Sequence, residues 1–296
     1  MRAAVIVNPG SGHVRSRRPG RESRVSLAER LVAGAGLEVD VVPTTAAGHA
    51  RELAASFAAR EYDRVVAWGG DGTVNEVAGP LISTRTALGV VSAGSGNGFA
   101  HSVGLPRDAG AALTTALTAP TIAVDIGMMG HRHFLNVAGV GFDATVSCRY
   151  EKRPTRGTAT YAVESLTGVW SYRCERYEVR AGGRTFDGPL FLVAFANGRE
   201  YGSGLVMAPG ATVTDGQLDM VVVSGGGPLR QFWRARRLFM RPLAPAQGLW
   251  RGRITNASIR GDRLVCHVDG ETFEASGDLN VVIVPGALLV AGVSVG

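Results

Sequence analysis

Residues 69–77 read Gly-Gly-Asp-Gly-Thr-Val-Asn-Glu-Val, directly after the apolar run Val65-Val66-Ala67-Trp68. That order predicts a buried strand running into a glycine turn and then a helix. Glycines at 69, 70 and 72 let the backbone come close to a ligand and aim bare N–H groups at it. Thr73 adds a hydroxyl, and Asp71 adds a carboxylate that phosphate alone would repel. A metal ion or a transferable proton would explain that carboxylate, so the chemistry indicated is that of nucleotide phosphates. Two more loops share this character: Asn8-Pro9-Gly10-Ser11-Gly12 after Val5-Ile6-Val7, and Ala93-Gly94-Ser95-Gly96-Asn97-Gly98 after the run 87–92. One such motif is weak. Three at successive strand ends are hard to explain as turn punctuation. Arg15, Arg17, Arg18 and Arg21 follow the first loop and could steer an anion or belong to a solvated surface.

The elements that must hold these loops follow from hydrophobic periodicity. Val5-Ile6-Val7, Leu37 to Val42, Val65 to Trp68 and Ala87 to Ser92 read as strands of a buried parallel sheet. Between them, Val25, Ala28, Leu31, Val32 and Ala35 form a helical stripe stopped by Gly36, and Ala50, Leu53, Ala54, Phe57 and Ala58 form another. Val74, Val77, Ala78 and Leu81 give the helix after the glycine turn an inner face, and a further helix over 107–119 ends at Pro120. Past residues 124–127 the texture changes to short, often alternating runs at 134–137, 177–180, 190–193, 218–223, 254–259, 264–268 and 280–284. Helices are expected around 158–171 and 228–241. The reading is α/β plus β: an N-terminal doubly wound α/β nucleotide-binding domain over 1–125 and a C-terminal antiparallel β-sandwich-like domain over 126–286.

Composition narrows the class. The 296 residues carry a net charge of +6, which suits an anionic substrate or membrane surface and falls short of a nucleic-acid-binding excess. Cys148, Cys174 and Cys266 lie far apart without metal-ligand spacing, as in a reduced, cytoplasmic chain. The apolar start is too short for a signal peptide and reads as a first strand. No stretch approaches the ~20 apolar residues of a bilayer span. Residues 229–241 are basic and aromatic together: on a helix Leu229, Phe232, Trp233 and Arg236 share one side, Arg230, Arg234, Arg237 and Arg241 another. Such a helix either rests on an anionic membrane or packs on a core with its arginines in water. No nucleic-acid motif accompanies the arginines.

In order and combination these motifs resemble the diacylglycerol kinase catalytic-domain family, which includes sphingosine, ceramide and bacterial lipid kinases. The resemblance rests on 8–12, 69–76, Gly-Ser-Gly-Asn at 94–97, the run 136–143, Ala208-Pro209 with Thr214-Asp215-Gly216, and Val268-Asp269-Gly270-Glu271, and so covers nearly the whole length. It implies ATP-dependent phosphorylation of a lipid hydroxyl with Mg2+, in a cleft between an α/β domain and a β-rich domain. It also implies a return of the last residues, 287–296, to the first domain.

Carried over by motif, the nucleotide contacts would be Asn8, Gly10, Ser11, Gly12, Thr44, Gly69, Gly70, Asp71, Gly72, Thr73, Val74, Asn75 and Ser95. Glu271 would be the general base and Asp71 a second catalytic acid acting through magnesium; the alternatives are a hairpin acid and a cap of the helix starting near Thr73. Asn75 and Glu76 would brace that helix start, unless Glu76 merely suits the helix dipole. Thr212, Asp215 and Gln217 would surround the metal. Gly98 stands where many bacterial diacylglycerol kinases have Asp, and Thr214 where Asp-Asp-Gly is common. His101 and His267 fall near the inferred cleft but form no metal pair. The implied protein is cytoplasmic, peripheral to the inner face of the membrane, meeting a lipid substrate there without nucleic-acid partners. A NAD kinase, which shares Gly-Gly-Asp-Gly-Thr, and a catalytically silent lipid- or nucleotide-sensing module remain the alternatives. Neither the lipid nor the oligomeric state is legible.

Overall fold

A computed structural model describes residues 1–12, 22–33, 38–151, 167–202, 205–238 and 247–294. The chain divides into two compact units, Met1–Asp125 with Gly286–Gly296, and Ile126–Pro285. The arginines at 15, 17, 18 and 21, Gly36 and most of the helix expected at 158–171 lie outside the described residues.

In the first unit the elements are β1 (Arg2–Val7), α1 (Arg24–Ala33), β2 (Glu38–Pro43), α2 (His49–Ala59), β3 (Arg64–Gly69), α3 (Asp71–Leu81), β4 (Ala87–Ser92), α4 (Gly98–Ser102) and α5 (Ala109–Thr118). The strands are parallel, in the order β2-β1-β3-β4. Both faces of the sheet are covered at β1, β3 and β4, which is why these strands carry continuous apolar runs, whereas the edge strand β2 alternates with Glu38 and Asp40. Ala3, Val5, Val7, Val66 and Trp68 pack with Ala28 and Val32 of α1 and with Ala112, Leu113, Ala116 and Leu117 of α5. Ala4, Ile6, Val65 and Ala67 point the other way and are equally buried; α3 packs on β3 and β4, and α2 on α3 and β1. The long strand β15 (Glu271–Ala291) ends in this unit, with Val290 paired in parallel to Leu88.

The second unit contains β5 (Thr121–Met129, its first residues in the first unit), β6 (Arg132–Phe134), β7 (Val137–Gly141), α6 (Phe142–Glu151), β8 (Glu175–Ala181), β9 (Arg184–Ala196), β10 (Glu200–Gly202), β11 (Leu205–Val206), β12 (Leu218–Ser224), α7 (Pro228–Leu238), β13 (Leu249–Ile254), β14 (Asn256–Val268) and most of β15. Pairing is antiparallel. Two long strands do the organising: β9 and β14 each pair with β7 through one half and with β8 through the other. A ring of hydrogen-bonded strands results, bent where the β14 register shifts between Gly261 and Leu264. Tyr177, Val179, Val193, Phe195, Met220, Ile259 and Leu264 fill its core.

Two local expectations need correction, and one helix was not expected. The run 254–259 is two strands, β13 and β14, with Thr255 between them, and 134–137 is shared between β6 and β7. Helix α6 was not signalled by periodicity. Its buried positions, Phe142, Asp143, Ala144, Val146 and Ser147, mix apolar with polar side chains, so no apolar stripe marks its inner face.

Candidate active site

The three glycine loops leave parallel strands whose ends are level: Val7 is opposite Trp68, and Gly69 opposite Ser92. They therefore emerge together, and side chains tie them. Asn8 donates through Nδ2 to Thr73 Oγ1 at 2.9 Å, while its Oδ1 accepts from Gly10 N at 2.9 Å. Gly70 N donates to Ser11 Oγ at 3.3 Å. A Cβ on Gly94 would sit 2.8 Å from Gly70 Cα, and one on Gly12 (φ +81°) 2.5 Å from the Ala93 carbonyl. Glycine is needed at these two positions because backbone meets backbone.

Asp71 does something the sequence did not suggest. Helix α3 begins at Asp71, with Gly70 as its N-cap and no capping side chain. The Asp71 carboxylate turns instead to the third loop and accepts from Asn97 N and Gly98 N, each at 2.8 Å. It thus caps α4, a helix from another segment, through charge-assisted bonds. Glu76 is equally specific: its carboxylate accepts from Gly48 N at 3.1 Å, tying the loop after β2 to α3. Thr44 lies on that loop at the same sheet edge, its N–H donating to Val7 O at 2.9 Å.

The other residues of the first unit divide by exposure. Gly10 and Ser95 are exposed, and Ser11, Gly70 and Gly72 half-buried. Thr73, Val74 and Asn75 are buried, so any ligand would meet the main chain of Val74 and not its side chain. Gly69 is buried against Thr73, where a Cβ would come within 2.4 Å of that side chain. Its glycine serves helix–strand packing.

In the second unit Glu271 opens β15 and pairs with Val268 across the two-residue turn Asp269-Gly270. Both turn residues have positive φ, +47° and +90°, the conformation for which Asp-Gly is suited. The Asp269 carboxylate accepts from three consecutive main-chain nitrogens, Leu135 at 2.7 Å and Asn136 and Val137 at 3.0 Å. Asn136 in turn donates to Glu200 O at 2.6 Å. The 136–143 and 268–271 motifs are therefore one hydrogen-bonded body, from which the half-buried Glu271 follows directly. His267, expected near the site, is 1% exposed and points inward to Asp143, with 3.0 Å between Nε2 and Oδ2. It cannot reach a substrate.

Among the described residues no group of three or more His, Cys, Asp or Glu is placed to hold a metal. At the 212–217 turn, Asp215 Oδ1 accepts from Gln217 N at 3.0 Å, and Oδ2 lies 3.8 Å from the Arg253 guanidinium. Asp219 stands close enough to feel the Asp215 charge; burial pushes its carboxyl up, and Arg253 pulls it down. With Thr212 and Gln217, the donors on offer are oxygens with one or two carboxylates, a set that fits magnesium keeping several waters.

On α7, Leu229 is 61% exposed and Trp233 51%, while Gln231 is buried. Residues 167–171 form a helical turn beside it, where Trp170 is 58% exposed and stacks on Phe232 with ring centroids 6.2 Å apart. Arg234 does not belong to the solvent-facing set: it donates to the carbonyls of Ser224 and Gly225 at 2.8 Å and of Gln247 at 3.1 Å. Residues 239–241 of the expected helix lie outside the described residues. No described helix is long and apolar enough to cross a membrane.

A parallel α/β unit with three joined glycine loops, together with an antiparallel unit bearing an acid beside a rigid turn, defines a class of phosphotransferase. The diacylglycerol kinase catalytic domain matches residues 2–129, and the YegS C-terminal NAD kinase beta sandwich-like domain matches residues 136–292. A "Probable lipid kinase YegS-like" of Chromohalobacter salexigens is 36% identical over 203 residues, 67% of this chain and 65% of that protein. A "Diacylglycerol kinase" of Bacillus subtilis is 31% identical over 247 residues, 81% and 79% of the two chains. Among solved structures, a diacylglycerol kinase of Bacillus anthracis superposes with a TM-score of 0.71 at 18% identity, covering 98% of this chain and 96% of that one. The chain belongs to the diacylglycerol kinase catalytic-domain family of lipid kinases. It is accordingly a kinase, an ATP-dependent phosphotransferase.

Proposed function

We propose that this chain transfers the γ-phosphate of ATP to the hydroxyl of a diacylglycerol or a sphingoid-type lipid. The observation that carries the reading is the bonding of loops 8–12, 69–73 and 94–98 into one amide-rich rim, in a chain whose relatives are named lipid kinases. Phosphoryl transfer needs alignment and charge neutralisation more than covalent help. The main-chain N–H groups of Gly12 and Gly72 and the hydroxyls of Ser11 and Ser95 would hold the phosphates, with Thr44 alongside, while the N–H groups of Gly10 and Gly70 hold the loops in shape through Asn8 and Ser11. Asp71 keeps that rim in shape by fixing the third loop to the second. Glu271 takes the proton of the attacking lipid hydroxyl, a very weak acid that a positioned carboxylate assists. Thr212, Asp215 and Gln217 would hold magnesium, which when bound offsets negative charge at the phosphates.

A kinase for membrane lipids must meet them at a surface. Trp170, Leu229 and Trp233, with the exposed Arg149 and Arg230 nearby, suit the headgroup layer of an anionic leaflet, which fits a cytoplasmic protein peripheral to the inner face of the membrane.

The test is incubation with labelled ATP, magnesium and separate pools of diacylglycerol, sphingoid bases and NAD. Labelled lipid is expected, and the labelled pool names the substrate. Labelled NAD, or ATP binding with no transfer, would overturn the proposal. Glu271→Gln is expected to lower lipid phosphorylation about 100-fold or more while ATP affinity holds.

A further inference from the structure

Directly beneath the Asp269-Gly270 turn lies a polar trio drawn from three elements, with His267 and Asp143 buried and Tyr201 half-buried. His267 of β14 has Nε2 3.0 Å from Asp143 Oδ2 and 3.0 Å from the Tyr201 hydroxyl. Tyr201, on β10, also donates to Asp143 Oδ2 at 3.4 Å, and the other Asp143 oxygen accepts from Ala144 N at 2.8 Å. His267 Nδ1 faces Gly270 N at 3.4 Å. A main-chain N–H can only donate, so Nδ1 must be the bare nitrogen, and Nε2 carries the hydrogen that Asp143 accepts. The partners therefore select one tautomer and one ring orientation.

Room has been left for this arrangement. A Cβ at Gly139, which pairs with His267 across the sheet, would sit 2.0 Å from Asp143 Oδ2 and 3.0 Å from His267 Nε2. Burial of Asp143 (6% exposed) and His267 (1%) is unfavourable unless their hydrogen bonds are met, and apolar side chains would fill the same space without that demand. What the polar trio adds is direction: an acceptor aimed at the nitrogen immediately before Glu271.

We propose that His267 is a positioning residue for phosphoryl transfer, oriented by Asp143 and Tyr201 so that its Nδ1 fixes the turn that carries Glu271. This rests on Glu271 being the proton acceptor. The trio touches no substrate; it sets where the carboxylate stands.

Two substitutions separate this role from packing. Asn at 267 places Oδ1 where Nδ1 was and keeps the acceptor for Gly270 N–H. Gln reaches toward Asp143 but leaves that N–H unmatched. In the full chain, acting on whichever lipid pool the wild type phosphorylates, His267→Gln is expected to lower kcat about 10- to 100-fold with the KM for ATP unchanged, while His267→Asn stays within about 5-fold. Added to Glu271→Gln, His267→Gln should produce no further loss, because the carboxylate it positions is already gone. Equal damage from Asn and Gln, or the same fold-loss in the Glu271→Gln background, would overturn the proposal. If the 267 variants fail to fold, Tyr201→Phe removes one hydroxyl and should lower kcat about 3- to 10-fold without changing KM; an unchanged kcat there also overturns it. A fully active Glu271→Gln chain would show that the base reading itself had failed, a result separate from any behaviour of His267.

Discussion

Asp71 and Asn97 stand 26 residues apart in sequence, yet the Asp71 carboxylate accepts the Asn97 main-chain N–H at 2.8 Å and that of Gly98 at the same distance. A side chain that looks like a ligand for metal is thus the clamp between two loops. Asp71→Asn replaces one acceptor oxygen by an NH2 that must face a main-chain donor. We expect a stability loss of about 1–3 kcal/mol and weaker ATP binding. Thermal unfolding and ATP titration check this. Lost turnover with stability and ATP affinity intact would instead give Asp71 a direct part in the chemistry.

The close approach of Gly70 and Gly94 gives a second prediction. Gly94→Ala puts a methyl 2.8 Å from Gly70 Cα, and neither backbone can yield without parting the loops. Destabilisation of about 1–3 kcal/mol is expected, with a raised KM for ATP. Gly227→Ala, where nothing lies within 4 Å, is the control and should change neither.

For the aromatic surface, Trp170→Ala and Trp233→Ala should each weaken binding to phosphatidylglycerol-containing vesicles about 10-fold, the loss from one buried aromatic ring. Flotation assays read this directly. ATP affinity in solution should not change. Unaltered vesicle binding would show that the protein meets its lipid through another face.

Burial and the nearby charge of Asp143 push the Cys266 thiol up to about 12. The folded chain therefore holds a proton that an unfolded thiol releases near pH 8.5. The sign follows: stability is unaffected below that value and falls as pH rises from about 8.5 toward 12. Cys266→Ala should remove this part of the alkaline decline in unfolding free energy. At pH 8, thiol reagents should reach the half-buried Cys148 well before Cys266.

Much of this was visible in the sequence for a simple reason. Parallel strands buried on both faces leave continuous apolar runs, and the loops after them share one edge, so glycine clusters at 10–12, 69–72 and 94–98 had to meet. Helix α6 escaped because its buried side mixes Asp143 and Ser147 with Phe142 and Val146, and α4 because five residues are too few to show a period. The clamp of Asp71 could not be read at all. Its partners are main-chain nitrogens, which every residue but proline possesses, and only folding decides which of them a carboxylate meets. His267 was noticed for its neighbourhood in sequence, but whether an imidazole faces solvent or the interior depends on strand register, here the pairing with Gly139.

The pairing of Val268 with Glu271 across a two-residue link has a consequence for how this hairpin can vary. Side chains on a strand alternate sides, so one extra or missing amino acid at the tip would swing Glu271 to the opposite surface of the ribbon. A change in length that shifts the pairing of 268 with 271 by one residue reverses its direction, whereas a shift of two restores it. The tip is therefore held in count as well as in type, since its positive φ angles suit Asp-Gly and the Asp269 carboxylate is fully engaged.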